Sequence, residues 1–300
     1  MHVNLDRRGE GQETAAPAID FAAGRRALMK CLGLGALGAT MLGTLGSESA
    51  DAQAANNDVD IFNFALNLEY LEAEFYLRAT TGKGLEAGDI EGTGTQGTVS
   101  GGRAVAFVDP TIRNLAAELA SDELAHVRLL RGILGSSKIA RPAIDLSQAF
   151  NIAASFAGLG NTFDPFANDA NFLLASFLFE DVGVSAYQGA APLITDPRNL
   201  SGAARIMAVE GYHAGAIRML LYANGIYQAP QQISDARDNF DGSTDLDQGI
   251  GVRATSNVVP ADAGGVAFPR TTSQVLSIVY LNGNAQPTGF FPNGFNGNIR

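Results

Sequence analysis

Two glutamate–histidine pairs dominate the chemistry open to this chain. Glu123 precedes His126 by three residues, and Glu210 precedes His213 by the same interval. Apart from His2, these are the only histidines in the sequence. Both pairs sit in stretches whose apolar residues recur at helical spacing, so each carboxylate and imidazole point the same way from successive turns. A pair so placed can grip one metal ion. Two pairs, joined by one glutamate from each of two more helices, make a dinuclear carboxylate site inside a four-helix bundle.

Two further glutamates meet that requirement. Glu69 shares a helical face with Phe62, Leu66, Ala73 and Tyr76, and Glu180 shares one with Leu173, Phe177, Val184 and Tyr187. A carboxylate buried on an apolar face without a partner is costly, no arginine sits on these stripes, and a metal ion is the natural counter-charge. The order is therefore Glu…Tyr, Glu-x-x-His, Glu…Tyr, Glu-x-x-His, a two-fold internal echo that gives each of two ions two carboxylates and one imidazole. Glu72, one turn beyond Glu69, is a further candidate ligand. Tyr76 and Tyr187 are expected as packed core residues with tethered hydroxyls, donating at Glu69 and at the neighbours of Glu180, with radical formation the alternative role.

Four helices must carry these groups. The first starts at an Asn57 or Asp58 cap. Its water side is read as Asp60, Asn63, Asn67, Glu74 and Arg78, with Glu74 and Arg78 an i,i+4 ion pair. Residues 82–108 read as a glycine-rich surface loop. Asp109-Pro110 opens the second helix and Gly135 closes it, its inner face running from Ile112 through Glu123 and His126 to Ile133. Residues 136–166 form a long connection, with a short helix near 146–157, that lets the second and third helices run parallel. Asn168 or Asp169 caps the third helix, which Pro192 ends. Ser201 caps the fourth, which Gly225 stops. The remainder, 226–300, is rich in Asp, Asn, Gly and Pro and reads as a loop-rich tail packed on the bundle. Its one apolar segment, 270–281, is a short helix capped at Thr272 or Ser273, or else a strand.

Composition narrows the partners. The net charge of −11 argues against nucleic acid. Residues 1–54 read as a cleaved export signal. Gly24-Arg25-Arg26 precedes a weak apolar run from Cys31 to Leu45 that is too short for a membrane span, and Ala52-Gln53-Ala54 follows as a cleavage pattern. Cleavage removes the single cysteine and leaves no integral membrane segment. Localisation is then periplasmic or extracellular by the twin-arginine route, and self-association into a homo-oligomer stays open.

Several of these segments also resemble a known family. Asn67-Leu68-Glu69 with Phe75-Tyr76-Leu77 resembles the first helix of ferritins. Asp122-Glu123-Leu124-Ala125-His126 resembles the second-helix motif of ferritins and rubrerythrins. Residues 68–76, Phe179-Glu180-Asp181-Val182-Gly183 and Glu210-Gly211-Tyr212-His213-Ala214 are similar to the ferritin-like domain of desiccation-related proteins. The resemblance implies an all-α fold, a ferritin-like up-down-down-up four-helix bundle with a long crossover and a C-terminal extension. It implies a di-metal motif, with Glu123 and Glu210 as bridges and Glu69 and Glu180 as terminal ligands, but no particular reaction. The donor set of four carboxylates and two imidazoles itself suits two iron or manganese ions. Oxygen or peroxide would be the reacting partner. The reaction is either redox turnover, as ferrous iron oxidation or peroxide removal, or none, in a non-catalytic metal-binding protein of stress protection.

Overall fold

The computed structural model describes the backbone of residues 47–300 and the side chains of residues 57–300. The paired arginines and the apolar run to Leu45 lie outside the described residues. Four long helices form the bundle: α1 (Ser47–Thr81), α3 (Pro110–Leu134), α5 (Asp169–Ala190) and α6 (Pro197–Ala223). Between them lie α2 (Ala87–Ile90), β1 (Val99–Gly101), β2 (Ile144–Leu146) and α4 (Gln148–Phe156). The tail adds α7 (Gln228–Asp241), β3 (Gly251–Val252), β4 (Thr255–Ser256) and α8 (Thr272–Val279). Among the described residues no helix is long and apolar enough to cross a membrane.

Side-chain pairs fix the helix directions. Asn63 bonds to Ser137 and Ile139 while Tyr70 meets Arg131, so α1 and α3 are antiparallel. Tyr76 meets Glu180 and Tyr187 meets Glu69, so α1 and α5 are antiparallel too. The short link from α5 to α6 reverses the chain again. The order is thus up-down-down-up, with the crossover between α3 and α5, as expected.

Packing is centred on Phe75. Its ring is stacked on Phe172 at 5.6 Å and touches Phe150, Phe166 and Phe179 within 5.4–5.8 Å. Phe290 of the tail packs edge-on against Phe150 and Phe179, both at 5.0 Å. Each such ring contributes about 1.5–3 kcal/mol when fully buried. Crossover and tail are thereby fastened to the α1–α5 side of the bundle. Tyr212 and Met219 of α6 stay 78 % and 52 % exposed.

That cover corrects the expected water side of α1. Asn63, Asn67 and Glu74 are buried rather than wet. The Asn67 amide exchanges hydrogen bonds with the backbone of Asn296, at 3.0 and 3.1 Å, and Asn63 caps the segment around Ile139. A polar stripe on α1 therefore faces the backbone of covering chain, where amide side chains satisfy groups that a smooth apolar face would leave unpaired. Glu74 holds Arg78, as expected, and also Arg141 of the crossover.

The ends of elements bring further corrections. Asn57 and Asp58 do not cap the first helix, which begins at Ser47 and contains the backbone of Ala52-Gln53-Ala54. Asp58 instead accepts from the amides of Thr195 and Asp196 at 2.8 and 3.0 Å, in the link before α6. The fourth helix opens at Asp196-Pro197, not at Ser201, with the Asp196 side chain accepting from Arg198 N. The expected loop 82–108 contains α2, and its β1 pairs in parallel with β2 of the crossover. Ile133, placed on the inner face of α3, is 39 % exposed. In the tail, α7 is a helix that its polar composition concealed, and the segment 270–281 holds the helix α8, capped by a Thr271–Gln274 capping box rather than by Thr272 or Ser273. Buried arginines hold the tail down: Arg218 and Arg237 share Asp181, and Arg270 pairs with Asp241 and Asp247.

Candidate metal centre

Each bundle helix delivers one member or pair to the same interior point. Glu69 comes from α1, Glu123 and His126 from α3, Glu180 from α5, and Glu210 and His213 from α6. Ligand-type atoms of Glu69, Glu123, His126 and Glu210 lie within 4.8 Å of one another, and those of Glu123, Glu180, Glu210 and His213 do the same. Glu123 and Glu210 belong to both groups. His126 Nδ1 stands 3.3 Å from Glu69, 3.3 Å from Glu123 and 3.5 Å from Glu210. His213 Nδ1 stands 3.1 Å from Glu123 and 3.3 Å from Glu180. The four glutamates are essentially inaccessible to solvent.

The internal echo is visible in three dimensions, but crosswise. Tyr76 of α1 donates to Glu180 of α5, and Tyr187 of α5 donates to Glu69 of α1. The antiparallel helices place each tyrosine beside the glutamate of the other repeat, because both follow their own glutamate by the same seven residues. Burial first, and then the charge of the carboxylate each one meets, pushes both phenols well above their usual range, so they remain neutral donors.

Glu72 is buried on the same side of α1 but outside both groups of convergent atoms. Asp122, beside Glu123 in the second-helix motif, faces His213 Nε2 at 3.2 Å. A carboxylate on the far nitrogen fixes the ring so that Nδ1 points inward. A third acidic group, Asp238, Asp241 and Asp247, lies in the tail. There Arg237 and Arg270 already neutralise Asp247, and Arg270 holds Asp241.

The bundle pattern of the ferritin-like domain matches residues 57–223. The chain belongs to the ferritin-like family. It is 32 % identical over 260 residues to desiccation-related protein PCC13-62 of Craterostigma plantagineum, spanning 79 % of this chain and 82 % of that one. It is 31 % identical over 265 residues to the ferritin-like catalase Nec2 of Nesocodon mauritianus, spanning 81 % and 84 %. Both alignments are longer than the matched bundle, so the likeness extends beyond the four helices.

The electrostatics of this ferritin-like centre suit cations. Burial and then the charge of Glu69 raise Glu123 to about 7. Burial and the charges of neighbouring carboxylates push Glu210 and Glu72 well up. Burial works against the charged forms of the histidines, but Glu69, Glu123 and Glu210 drive His126 far up, and Glu123 and Glu180 lift His213 to about 12. Glu69 goes the other way: burial alone would raise it, but the His126 charge together with hydrogen bonds from His126, Glu123 and Tyr187 lowers it. Imidazolium protons thus stand where cations are wanted. Even so, Glu69 Oε2, Glu123 Oε1, Glu180 Oε2, both oxygens of Glu210 and His213 Nδ1 are buried without a hydrogen bond. Buried polar atoms are normally satisfied. Six that converge unsatisfied, within the two groups of ligand-type atoms that also include His126, fit a dinuclear site for divalent ions of borderline hardness.

Proposed function

We propose that this chain holds two iron or manganese ions and removes hydrogen peroxide. Glu69 and His126 would hold one ion, Glu180 and His213 the other, and Glu123 and Glu210 would serve both. The observation that carries this reading is the pair of buried ligand groups sharing those two glutamates. When bound, the ions supply two reversible electrons between them, one per ion, which matches the two-electron chemistry of peroxide. In disproportionation one peroxide loses two electrons and two protons to become dioxygen, and a second takes them up to become two waters. The chain's own part is to keep the ligands preorganised, exclude bulk water, and hold the terminal carboxylates in place through Tyr76 and Tyr187. The catalase name of Nec2 favours peroxide over ferrous iron as substrate.

Apoprotein loaded with manganese(II) or iron(II) should release about one dioxygen per two peroxides consumed, measured with an oxygen electrode. Protein that retains two ions yet releases no more oxygen than the free ions would move the function to non-catalytic metal binding in stress protection. The name of PCC13-62 favours that second reading.

We further propose that the chain is exported by the twin-arginine route to the periplasm or beyond, which would let it acquire metal as a folded protein. Its exported form should begin near Ala55 on N-terminal sequencing. An intact N-terminus on exported protein, or normal export of an Arg25→Lys, Arg26→Lys double variant, defeats this.

A further inference from the structure

Gly183 lies on α5 three residues after Glu180, and Glu72 lies on α1 three residues after Glu69. The echo that makes Glu69 and Glu180 counterparts makes these two counterparts as well. One repeat carries a carboxylate at this step and the other carries no side chain. The backbone does not ask for glycine here, because Gly183 is helical and is absent from the residues with positive φ. Glycine inside a helix costs about 0.5–1 kcal/mol relative to alanine. What the position provides is space. A Cβ on Gly183 would lie 2.1 Å from Glu210 Oε2, 3.1 Å from the Glu210 carboxyl carbon and 3.5 Å from Glu72 Oε1. The first distance is far inside van der Waals contact. The carboxylate of Glu210 therefore rests directly on the bare backbone of α5, with Glu72 beside it.

We infer that Gly183 is a positioning residue of the metal centre: its missing side chain lets Glu210 reach across to α5 and serve both ligand groups. The inference rests on the dinuclear reading above. Any larger residue forces the Glu210 carboxylate back, and one donor shared by both groups is displaced. The colliding atom is the far end of a flexible side chain, so the helix itself can accept an alanine while the centre cannot. Gly132 of α3 provides the contrast, since a Cβ there would meet nothing within 4 Å.

The test is equilibrium dialysis of metal-free Gly183→Ala, Gly132→Ala and wild type against manganese(II), with thermal unfolding of each metal-free form. Both variants should keep or slightly raise the unfolding temperature, because alanine is the better helix former. Gly183→Ala should bind manganese at least about tenfold more weakly, a loss of the size that follows when a metal centre's supporting contacts are disturbed. Gly132→Ala should bind as wild type does. Wild-type affinity and stoichiometry in Gly183→Ala overturn the inference and leave the dinuclear reading intact. A wild type that binds no manganese and no iron overturns the dinuclear reading itself, and this inference with it. If Gly183→Ala fails to fold, the double variant Gly183→Ala, Glu210→Asp decides. Its shortened carboxylate removes the clash, so a folded double variant supports the inference, and an unfolded one places the collision elsewhere and rejects it.

Discussion

Glu123→Ala should strip nearly all metal from the protein, whereas His126→Ala should leave about one ion per chain. The asymmetry follows from membership of the two ligand groups. Glu123 contributes an oxygen to both, and its two oxygens face different histidines: Oε2 faces His126 and Oε1 faces His213. His126 belongs to one group only. Removing the shared carboxylate takes a ligand and a negative charge from both ions at once. Removing the imidazole leaves Glu123, Glu180, Glu210 and His213 in place for the second. Losing even a supporting contact typically costs about 10–100-fold in affinity, and a direct ligand should cost more. Elemental analysis of protein reconstituted with excess metal and then desalted reads the ratio. A full complement of two ions in Glu123→Ala would reject the shared-ligand arrangement, and equal losses in the two variants would reject the division between the histidines. Far-UV circular dichroism of the metal-free variants should match wild type, because each substitution removes buried charge without opening a helix end.

Glu74→Ala should destabilise the fold by about 3–5 kcal/mol, the usual cost of leaving one partner of a buried ion pair uncompensated. Read from the helical wheel, Glu74 is a solvated residue whose loss should matter little. In the structure it is fully buried, with Arg78 on one oxygen and Arg141 on the other. Arg141 also donates to the Gly97 carbonyl, and a Cβ on Gly84 would lie 1.8 Å from Glu74 Oε2. One carboxylate thus joins α1 to the start of the long loop at Gly84 and, through Arg141, to the loop's middle at Gly97 and to the crossover. Its removal strands Arg141, which is itself buried. The unfolding temperature should fall on the order of 10 °C for a domain of this size. Metal stoichiometry should be unchanged while the protein is folded, since Glu74 belongs to neither ligand group. An unfolding temperature within about 2 °C of wild type would show that the pairing contributes no net stability.

These two residues also mark how far the chain could be read unaided. Spacing alone determined the bundle: four apolar-periodic segments, two Glu-x-x-His pairs and two more inward glutamates that the helical period placed on core faces. Those are local properties, set by 3.6 residues per turn, and the same period put Tyr76 and Tyr187 one repeat from the glutamates they would serve. Only the tertiary structure decided which tyrosine meets which glutamate, because an antiparallel pairing of α1 and α5 exchanges them between repeats. Only it showed Glu74, Asn63 and Asn67 to be interior. Polarity marks a residue that needs hydrogen bonds, and covering backbone supplies them as well as water does. The helix α7 was hidden for a related reason. Its few buried positions include Arg237 and Asp241, whose burial depends on partners far along the chain. Gly183 shows the same limit at the centre itself, since an empty position carries no pattern until the carboxylate that fills the space comes from another helix.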